Sequence, residues 1–291
     1  MPAAGLRAWY RIFALLNILA FLLVLLVHAT AEILPLSGVT EYQARMRDDN
    51  LFLPAEPNRL FWLVQYLFLV VFVLYQSATF FMPPAATPSG GRAGERAGGP
   101  LKSVQFHQAT SLFLPLAAIL AVLSRLALHG DRPDRHFAAT LGMLALLAWL
   151  DLRLEAYTPA IRAERWLIHV PFRLLFGWTL YNAFVAWSLL RTREGWNLLG
   201  VDPEIAAILL LLGLVLLTVA RLVMRQDIAF AVAVEWGVAA LAMRRVVEGT
   251  GNAPFLAAAA VLSMALLASG ILVTTYRLLQ VGGERALRGI R

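Results

Sequence analysis

Long apolar segments recur along the whole chain. Eight such runs fall at 12–29, 60–82, 106–128, 136–152, 167–189, 204–224, 228–243 and 254–276. An α-helix rises about 1.5 Å per residue, so about 20 apolar residues cross the roughly 30 Å hydrocarbon core of a bilayer. The pattern predicts an all-α fold, a polytopic transmembrane helical bundle of about eight spans, as a single membrane domain over 1–291. The fourth and seventh runs are short, which leaves a count of seven spans open.

The composition points to the same class of protein. Hydrophobic residues make up 60% of the chain and charged residues 15%, against about 45–50% and 25% in soluble domains. The net charge of +7 arises from residues between the apolar runs, where it indicates membrane topology. We therefore expect the protein to contact the lipid bilayer, and we expect it to bind no nucleic acid. The chain contains no cysteine, which excludes thiol catalysis, disulfides and cysteine-ligated metals.

The first apolar run resembles a secretory signal, because Arg7 and Arg11 precede it and Ala29-Thr30-Ala31 ends it. Its apolar stretch is longer than most signal cores, so we expect it to be retained as the first span. With a cytoplasmic N-terminus, fourteen basic residues flank the spans on the inside and ten on the outside. This bias predicts a multi-pass protein of the cell membrane with both termini in the cytoplasm.

Two connecting segments differ in composition. Residues 83–104 are rich in proline, glycine, alanine and serine without an apolar period, which predicts a flexible cytoplasmic linker. Residues 30–59 mix apolar and charged side chains, which predicts an ordered extracytoplasmic loop over the helix ends. Such a loop either gates a ligand entrance or only packs on the helices.

The second span carries a polar and aromatic stripe. At helical spacing Asn58, Trp62, Gln65 and Tyr66 share one face. An amide that faced lipid would lack hydrogen-bond partners, so the stripe is expected to face protein or a ligand cavity. The alternative is that Trp62 belongs to the interfacial aromatic belt and that Gln65 bonds to a neighbouring helix.

The fifth span repeats this mixture. Trp178 and Asn182 are four residues apart, and Arg173, Gly177 and Tyr181 line the adjacent face. Gly177 would let a ligand or another helix approach closely, and the sequence leaves both alternatives open. The two stripes together give the candidate ligand-binding residues, which are Asn58, Trp62, Gln65, Tyr66, Arg173, Trp178, Tyr181 and Asn182.

Arg173 and Glu235 are the clearest charges inside apolar runs. Each costs roughly 2.5–3.5 kcal/mol on membrane insertion. Both lie about seven residues from the same predicted side of the membrane, so we expect an ion pair between them. A relay for protons or substrate is the alternative reading of the same two charges.

Sequence motifs for catalysis and metal binding are absent. The chain has no Gly-Xaa-Ser-Xaa-Gly elbow, no His-Glu-x-x-His helix and no phosphate-binding loop. His107 and His169 could in principle ligate a haem, but interfacial histidines are commoner. We therefore predict that the protein is not an enzyme and has no catalytic or metal-binding residues, and the sequence assigns no cofactor.

Two motifs resemble the TspO/MBR family of tryptophan-rich sensory proteins. The first is Pro-x-x-Pro-Asn-x-x-Phe-Trp-x-x-x-Tyr, which begins at Pro54. The second is Pro171-Phe-x-Leu-Leu-x-x-Trp178 followed by Asn182, which is similar to the family's Pro-Tyr-Leu-Leu-Trp helix. The family core has five helices, and this chain resembles the larger, multi-span relatives.

The resemblance implies an aromatic pocket that binds porphyrin-like or other flat hydrophobic molecules, in a membrane homodimer. It favours a membrane protein that binds a small hydrophobic ligand, such as a tetrapyrrole, in a sensory or transport-like role. One alternative is a secondary transporter that uses the intramembrane charges. Another is a structural membrane subunit without a small ligand.

Overall fold

The described part of the chain is helical. The computed structural model describes residues 3–33, 38–39, 43–44, 50–55, 59–77, 112–155, 165–194, 200–247 and 253–288. They form eight α-helices, which are α1 (Ala3–Ile33), α2 (Arg59–Ser77), α3 (Phe113–His129), α4 (Pro133–Glu155), α5 (Val170–Glu194), α6 (Pro203–Arg225), α7 (Ile228–Val247) and α8 (Pro254–Arg288). A π-helical turn, Arg165–His169, leads directly into α5. The all-α prediction is confirmed for these residues.

Five of the helices are long and apolar enough to cross a membrane, by length and composition. Their apolar parts are Arg11–Ala31, Leu60–Ser77, Pro133–Glu155, Pro203–Arg225 and Pro254–Gln280. Helix α3 is also apolar but shorter, and α5 and α7 are not among the five. The fourth apolar run belongs to a helix of 23 residues and the seventh to one of 20, so both helices are longer than the runs indicated. The count of eight spans stays a prediction.

Short-range sequence signals set several helix ends. Proline is the first residue of α4, α6 and α8, where its missing N–H costs nothing. The Asp202 carboxylate caps α6 by accepting from the backbone N–H of Glu204 at 2.8 Å. At the other end, Gln226 adopts a left-handed conformation with φ of 52°. This residue stops α6 and allows the chain to enter α7 after only one further residue.

Contacts divide the chain into two compact units. Unit 1 contains 1–41 and 63–172, and unit 2 contains 42–62 and 173–291. The single membrane domain over 1–291 stays a prediction. The linker predicted at 83–104 lies outside the described residues.

Unit 1 is built on α3 packed between α1 and α4. Small buried residues on α3, such as Ala117 and Ala121, allow the close helix packing that is typical of membrane bundles. The Asn17 amide on α1 donates to the Gln76 side chain on α2 at 3.1 Å, so a buried hydrogen bond joins these two helices. Phe72 also packs edge-on against Phe172, with 4.9 Å between ring centroids.

Unit 2 is built on α8, which packs against α6 and α7. The Glu204 carboxylate accepts a hydrogen bond from the backbone N–H of Leu256 at 2.9 Å, so a side chain of α6 satisfies a donor in the first turn of α8. Helices α5 and α7 cross closely at Gly177, where a Cβ would collide with the carbonyl oxygen of Phe230. Another helix, α7, therefore occupies the space that Gly177 leaves. Of the two alternatives for Gly177, close approach of a ligand or of a helix, the structure shows the helix.

Candidate functional site

An aromatic cluster in unit 2 brings together the tryptophans of both sequence motifs. We use this name for Phe61, Trp62, Trp178, Tyr181 and Trp236. Phe61 lies 4.6 Å from Trp178 and 5.9 Å from Trp236 between ring centroids. Trp62 meets Trp178 edge-on at 5.7 Å, and Tyr181 stacks on Trp178 at 5.7 Å. Trp178 is therefore the centre of the cluster.

The buried indole of Trp178 lacks a hydrogen-bond partner. Its side chain is 1% exposed, and no acceptor in the described residues bonds to Nε1. A buried tryptophan N–H usually finds an acceptor, and leaving it unpaired costs about 1–3 kcal/mol. The cluster thus contains one hydrogen-bond donor that the described chain does not use.

A short non-helical segment, 50–55, which begins with a turn closed by the Leu53 N–H to Asn50 carbonyl hydrogen bond, anchors the cluster from one side. All six of its residues are buried. The Tyr181 hydroxyl donates to the carbonyl of Phe52 at 3.1 Å, and the N–H of Ala55 donates to Ala240 at 3.0 Å. These two hydrogen bonds tie the segment to α5 and α7.

Arg245 and Asn50 complete the anchoring of this segment. The Arg245 guanidinium donates to the carbonyls of Leu51 at 3.1 Å and Asn50 at 3.0 Å. The Asn50 amide donates to the carbonyl of Val185 at 3.1 Å. Residues 50–55 of the loop 30–59 are therefore ordered inside unit 2, and the extracytoplasmic location of the loop stays a prediction.

The remaining predicted ligand residues are placed as follows. Gln65 and Tyr66 are buried in unit 1, and neither amide atom of Gln65 has a hydrogen-bond partner in the described residues. The Asn182 amide donates to the Trp178 carbonyl one turn earlier, at 2.9 Å, so its own helix uses this donor. Asn58 lies outside the described residues. The role of these residues in ligand binding stays a prediction.

The charged residue that meets Arg173 is Asp227. Arg173 Nε lies 3.6 Å from the Asp227 carboxylate, and Arg221 contacts the same carboxylate at 2.6 Å. The Asp227 side chain is 1% exposed and also accepts from the N–H of Phe230 at 3.2 Å. Asp227 therefore caps α7 and ties it to α5 and α6.

The Arg173–Glu235 pair stays a prediction, and the described contacts of Arg173 favour Asp227 as its partner. Gly177 and Tyr181 pack on Ala233 and Gly237 of α7. At 3.6 residues per turn, Glu235 points about 160° away from these two positions on α7. The sequence places Arg173 and Glu235 at equal depth when both are measured from the ends of their apolar runs. In the structure, Arg173 instead lies beside Asp227, directly before the first residue of α7. The Oε2 atom of Glu235 has no hydrogen-bond partner in the described residues.

Sequence reasoning missed several buried polar residues. Asp227 was passed over because it lies between two apolar runs, yet an acid directly before a helix is a signal for an N-cap. Arg125 lies inside the third apolar run, which is itself a signal for a buried charge, and it is 7% exposed in the structure. No local signal identifies Arg245, because its partners are backbone carbonyls nearly 200 residues away in sequence.

The described residues contain no group of three His, Asp or Glu side chains placed to hold a metal ion. His136 on α4 is bonded to the Ser124 hydroxyl at 2.8 Å, which is a contact between neighbouring helices. His169 is buried at the end of the π-helical turn. His107, which was considered with His169 as a haem ligand, lies outside the described residues.

The apolar helices and their buried polar contacts define a multi-pass, all-α integral membrane protein. A family model described as TSPO-like protein matches residues 14–273. Because this match covers most of the chain, the protein belongs to the TSPO-like family, as the two tryptophan motifs indicated. Comparison with curated proteins and with solved structures gave no match.

Proposed function

We propose that this membrane protein binds a small, flat, hydrophobic ligand at the aromatic cluster, in a sensory or transport-like role. The observation that carries the proposal is the buried Trp178 Nε1–H, which has no acceptor within the described part of the chain. Ligand sites commonly combine large aromatic faces with a few polar groups that set the orientation. A ligand with one carbonyl acceptor and an extended apolar body would match both features.

The cluster restricts how such a ligand binds. The rings of Trp62 and Trp178 touch, and so do those of Phe61 and Trp178, so the space between these rings is filled. The open surfaces belong to Trp62, which is half-buried, and Trp236, which is 36% exposed. A ligand that lies against these two rings reaches the buried Nε1 of Trp178 only if a ring of the cluster rotates. Rotation of Trp62 would expose Trp178.

Mesoporphyrin dimethyl ester is a suitable probe, because its ester carbonyls accept hydrogen bonds and it carries no charge. We expect saturable quenching of tryptophan emission in detergent with a micromolar dissociation constant, roughly −8 kcal/mol. Trp178→Phe keeps an aromatic ring and removes the N–H, so it should weaken binding about three- to tenfold. Trp62→Ala should weaken binding further because it removes an apolar face.

Trp149→Phe is the matched control, because Trp149 lies on α4 in unit 1 and is exposed. It should leave the dissociation constant unchanged. The chain has eight tryptophans, so inner-filter loss and binding to empty micelles must be subtracted. Saturable binding that neither Trp178→Phe nor Trp62→Ala weakens would place the ligand elsewhere. Absence of saturable binding would refute the proposal for tetrapyrroles.

A secondary transporter is the second candidate, because one observation favours it. Glu235 is half-buried near the middle of α7, and its Oε2 lacks a partner in the described residues. Ionisable groups inside membranes often carry protons or bind substrates. Proteoliposomes with an imposed pH gradient should then accumulate the porphyrin ester, and Glu235→Gln should abolish this uptake without changing binding. Binding without uptake would favour a sensory role.

A further inference from the structure

Unit 1 buries a second group of polar side chains that the proposed function does not use. His28 on α1, Tyr66 on α2, and Arg125 and His129 on α3 are all buried. We call these four residues the histidine–arginine cluster. Ionisable side chains are rare inside membrane helices, because their transfer from water is costly. Such a cluster therefore requires a structural or functional explanation.

The contact between Arg125 and His28 defines part of the chemistry. An Arg125 Nη2–H donates to Nδ1 of His28. Guanidinium has only donors, so His28 Nδ1 must be the unprotonated nitrogen and the imidazole is neutral. The His28 ring also meets the ring of Tyr66 edge-on at 5.4 Å. These contacts hold the guanidinium inside the unit.

His129 has unmet hydrogen-bonding capacity beside this guanidinium. It follows Arg125 by four residues on α3, so the two side chains lie on one helix face. His129 is 3% exposed, and neither Nδ1 nor Nε2 has a hydrogen-bond partner in the described residues. A neutral imidazole needs both an acceptor and a donor. By contrast, His136 on α4 is bonded to the side chain and the carbonyl of Ser124.

We propose that the histidine–arginine cluster binds the acidic headgroup of an amphiphile, a carboxylic acid or a phosphate. In its ionised form such a group accepts the hydrogen bond that the ring N–H of His129 can donate. Its ionised form also gains a charge-assisted hydrogen bond from Arg125, whose five N–H donors can serve His28 and a ligand together. Because the cluster lies on apolar helices, the ligand carries an apolar tail.

The test compares three ligands with the same tail, decanoate, decyl phosphate and decanol, on the full-length protein in detergent. Either acid should bind saturably, and decanol at least about tenfold more weakly, because it lacks the acidic group. His129→Phe and Arg125→Gln should each weaken acid binding at least about tenfold. His136→Phe and Arg153→Gln are matched controls in the same unit, and each should change the dissociation constant of the acid by less than about twofold.

A second measurement uses the unaltered protein and so does not depend on whether a variant folds. In ¹⁵N-histidine-labelled protein, the ring resonances that His129→Gln removes should shift on addition of acid and stay unchanged with decanol. Tighter binding of decanoate identifies a carboxylate ligand, and tighter binding of decyl phosphate identifies a lipid phosphate. Equal binding of acid and alcohol, or no resonance shift, would overturn the proposal and leave water as the partner of His129.

Acid binding at the histidine–arginine cluster should not depend on the aromatic cluster. Trp178→Phe should leave acid binding unchanged, and His129→Phe should leave binding of the porphyrin ester unchanged. Failure of one proposal therefore cannot be mistaken for failure of the other.

Discussion

The ring of Tyr181 lies directly on Gly237, where a Cβ would come 2.5 Å from the ring. The absence of a side chain at Gly237 lets α5 approach α7 closely. The same Tyr181 stacks on Trp178 and donates its hydroxyl proton to the Phe52 carbonyl. One helix crossing thus positions both the centre of the aromatic cluster and the segment 50–55.

Gly237→Ala should destabilise the protein. The added methyl group must displace the Tyr181 ring, and overpacking of this kind costs about 1–3 kcal/mol. Gly213→Ala on α6 is the matched control, because no atom lies within 4 Å of the added Cβ. It should be neutral or stabilise the helix by up to about 1 kcal/mol. Unfolding by SDS followed by far-UV circular dichroism measures both changes, and equal stability of the two variants would contradict the close crossing.

Tyr181→Phe should destabilise the protein by about 1–3 kcal/mol, because it leaves the buried Phe52 carbonyl without this donor. Tyr276→Phe is the control on α8, where the ring is exposed and its hydroxyl accepts from the exposed Gln280 side chain one turn later. Its effect should be within about 0.5 kcal/mol. Hydrogen exchange should also become faster at Ala55 in Tyr181→Phe. Unchanged exchange there would show that the hydroxyl does not hold the segment.

Asp227→Asn should be among the most destabilising substitutions. It leaves the Arg221 and Arg173 guanidinium groups without their shared carboxylate, and breaking a buried ion pair costs about 3–5 kcal/mol. Glu194→Gln tests an exposed pair, in which Arg191 lies 2.7 Å from the carboxylate, and should cost less than about 1 kcal/mol. Similar losses in the two variants would mean that Asp227 is solvated.

A double-mutant cycle distinguishes the two acids as partners of Arg173. Arg173→Gln and Glu235→Gln should be additive within about 0.5 kcal/mol, because the carboxylate beside Arg173 is that of Asp227. Arg173→Gln and Asp227→Asn should couple by more than that. Coupling of Arg173 with Glu235 instead would support the pair predicted from the sequence.

The linker 83–104 and both termini should be cytoplasmic, because more basic residues flank the spans on that side than on the other. The chain lacks cysteine, so single cysteines can report the topology directly. In intact cells, a membrane-impermeant maleimide should label Ser37→Cys in the loop 30–59 and leave Ser89→Cys in the linker unlabelled until the cells are lysed. The opposite labelling would invert the topology.

The sequence by itself determined the class of protein and the helices. Apolar runs of about 20 residues can satisfy their backbone in lipid only as helices, and the Trp62 and Trp178 motifs indicated the TSPO-like family. These are local properties, because each depends on residue types within one span. At Gly177 the sequence indicated close approach by a neighbour, but it left open whether the neighbour is a helix or a ligand.

Only the tertiary structure decided which side chains meet. A charge inside a span requires a partner, but the sequence does not say which one. Arg173 meets Asp227 because α5 and α7 lie side by side with Tyr181 on Gly237, and this register depends on a glycine far along the chain. Likewise, no pattern around Trp178 or His129 reveals that the indole nitrogen of the one and the imidazole nitrogens of the other have no partner among the residues that the structure describes. Hydrogen-bond satisfaction is a property of the assembled bundle, since the partners come from different helices.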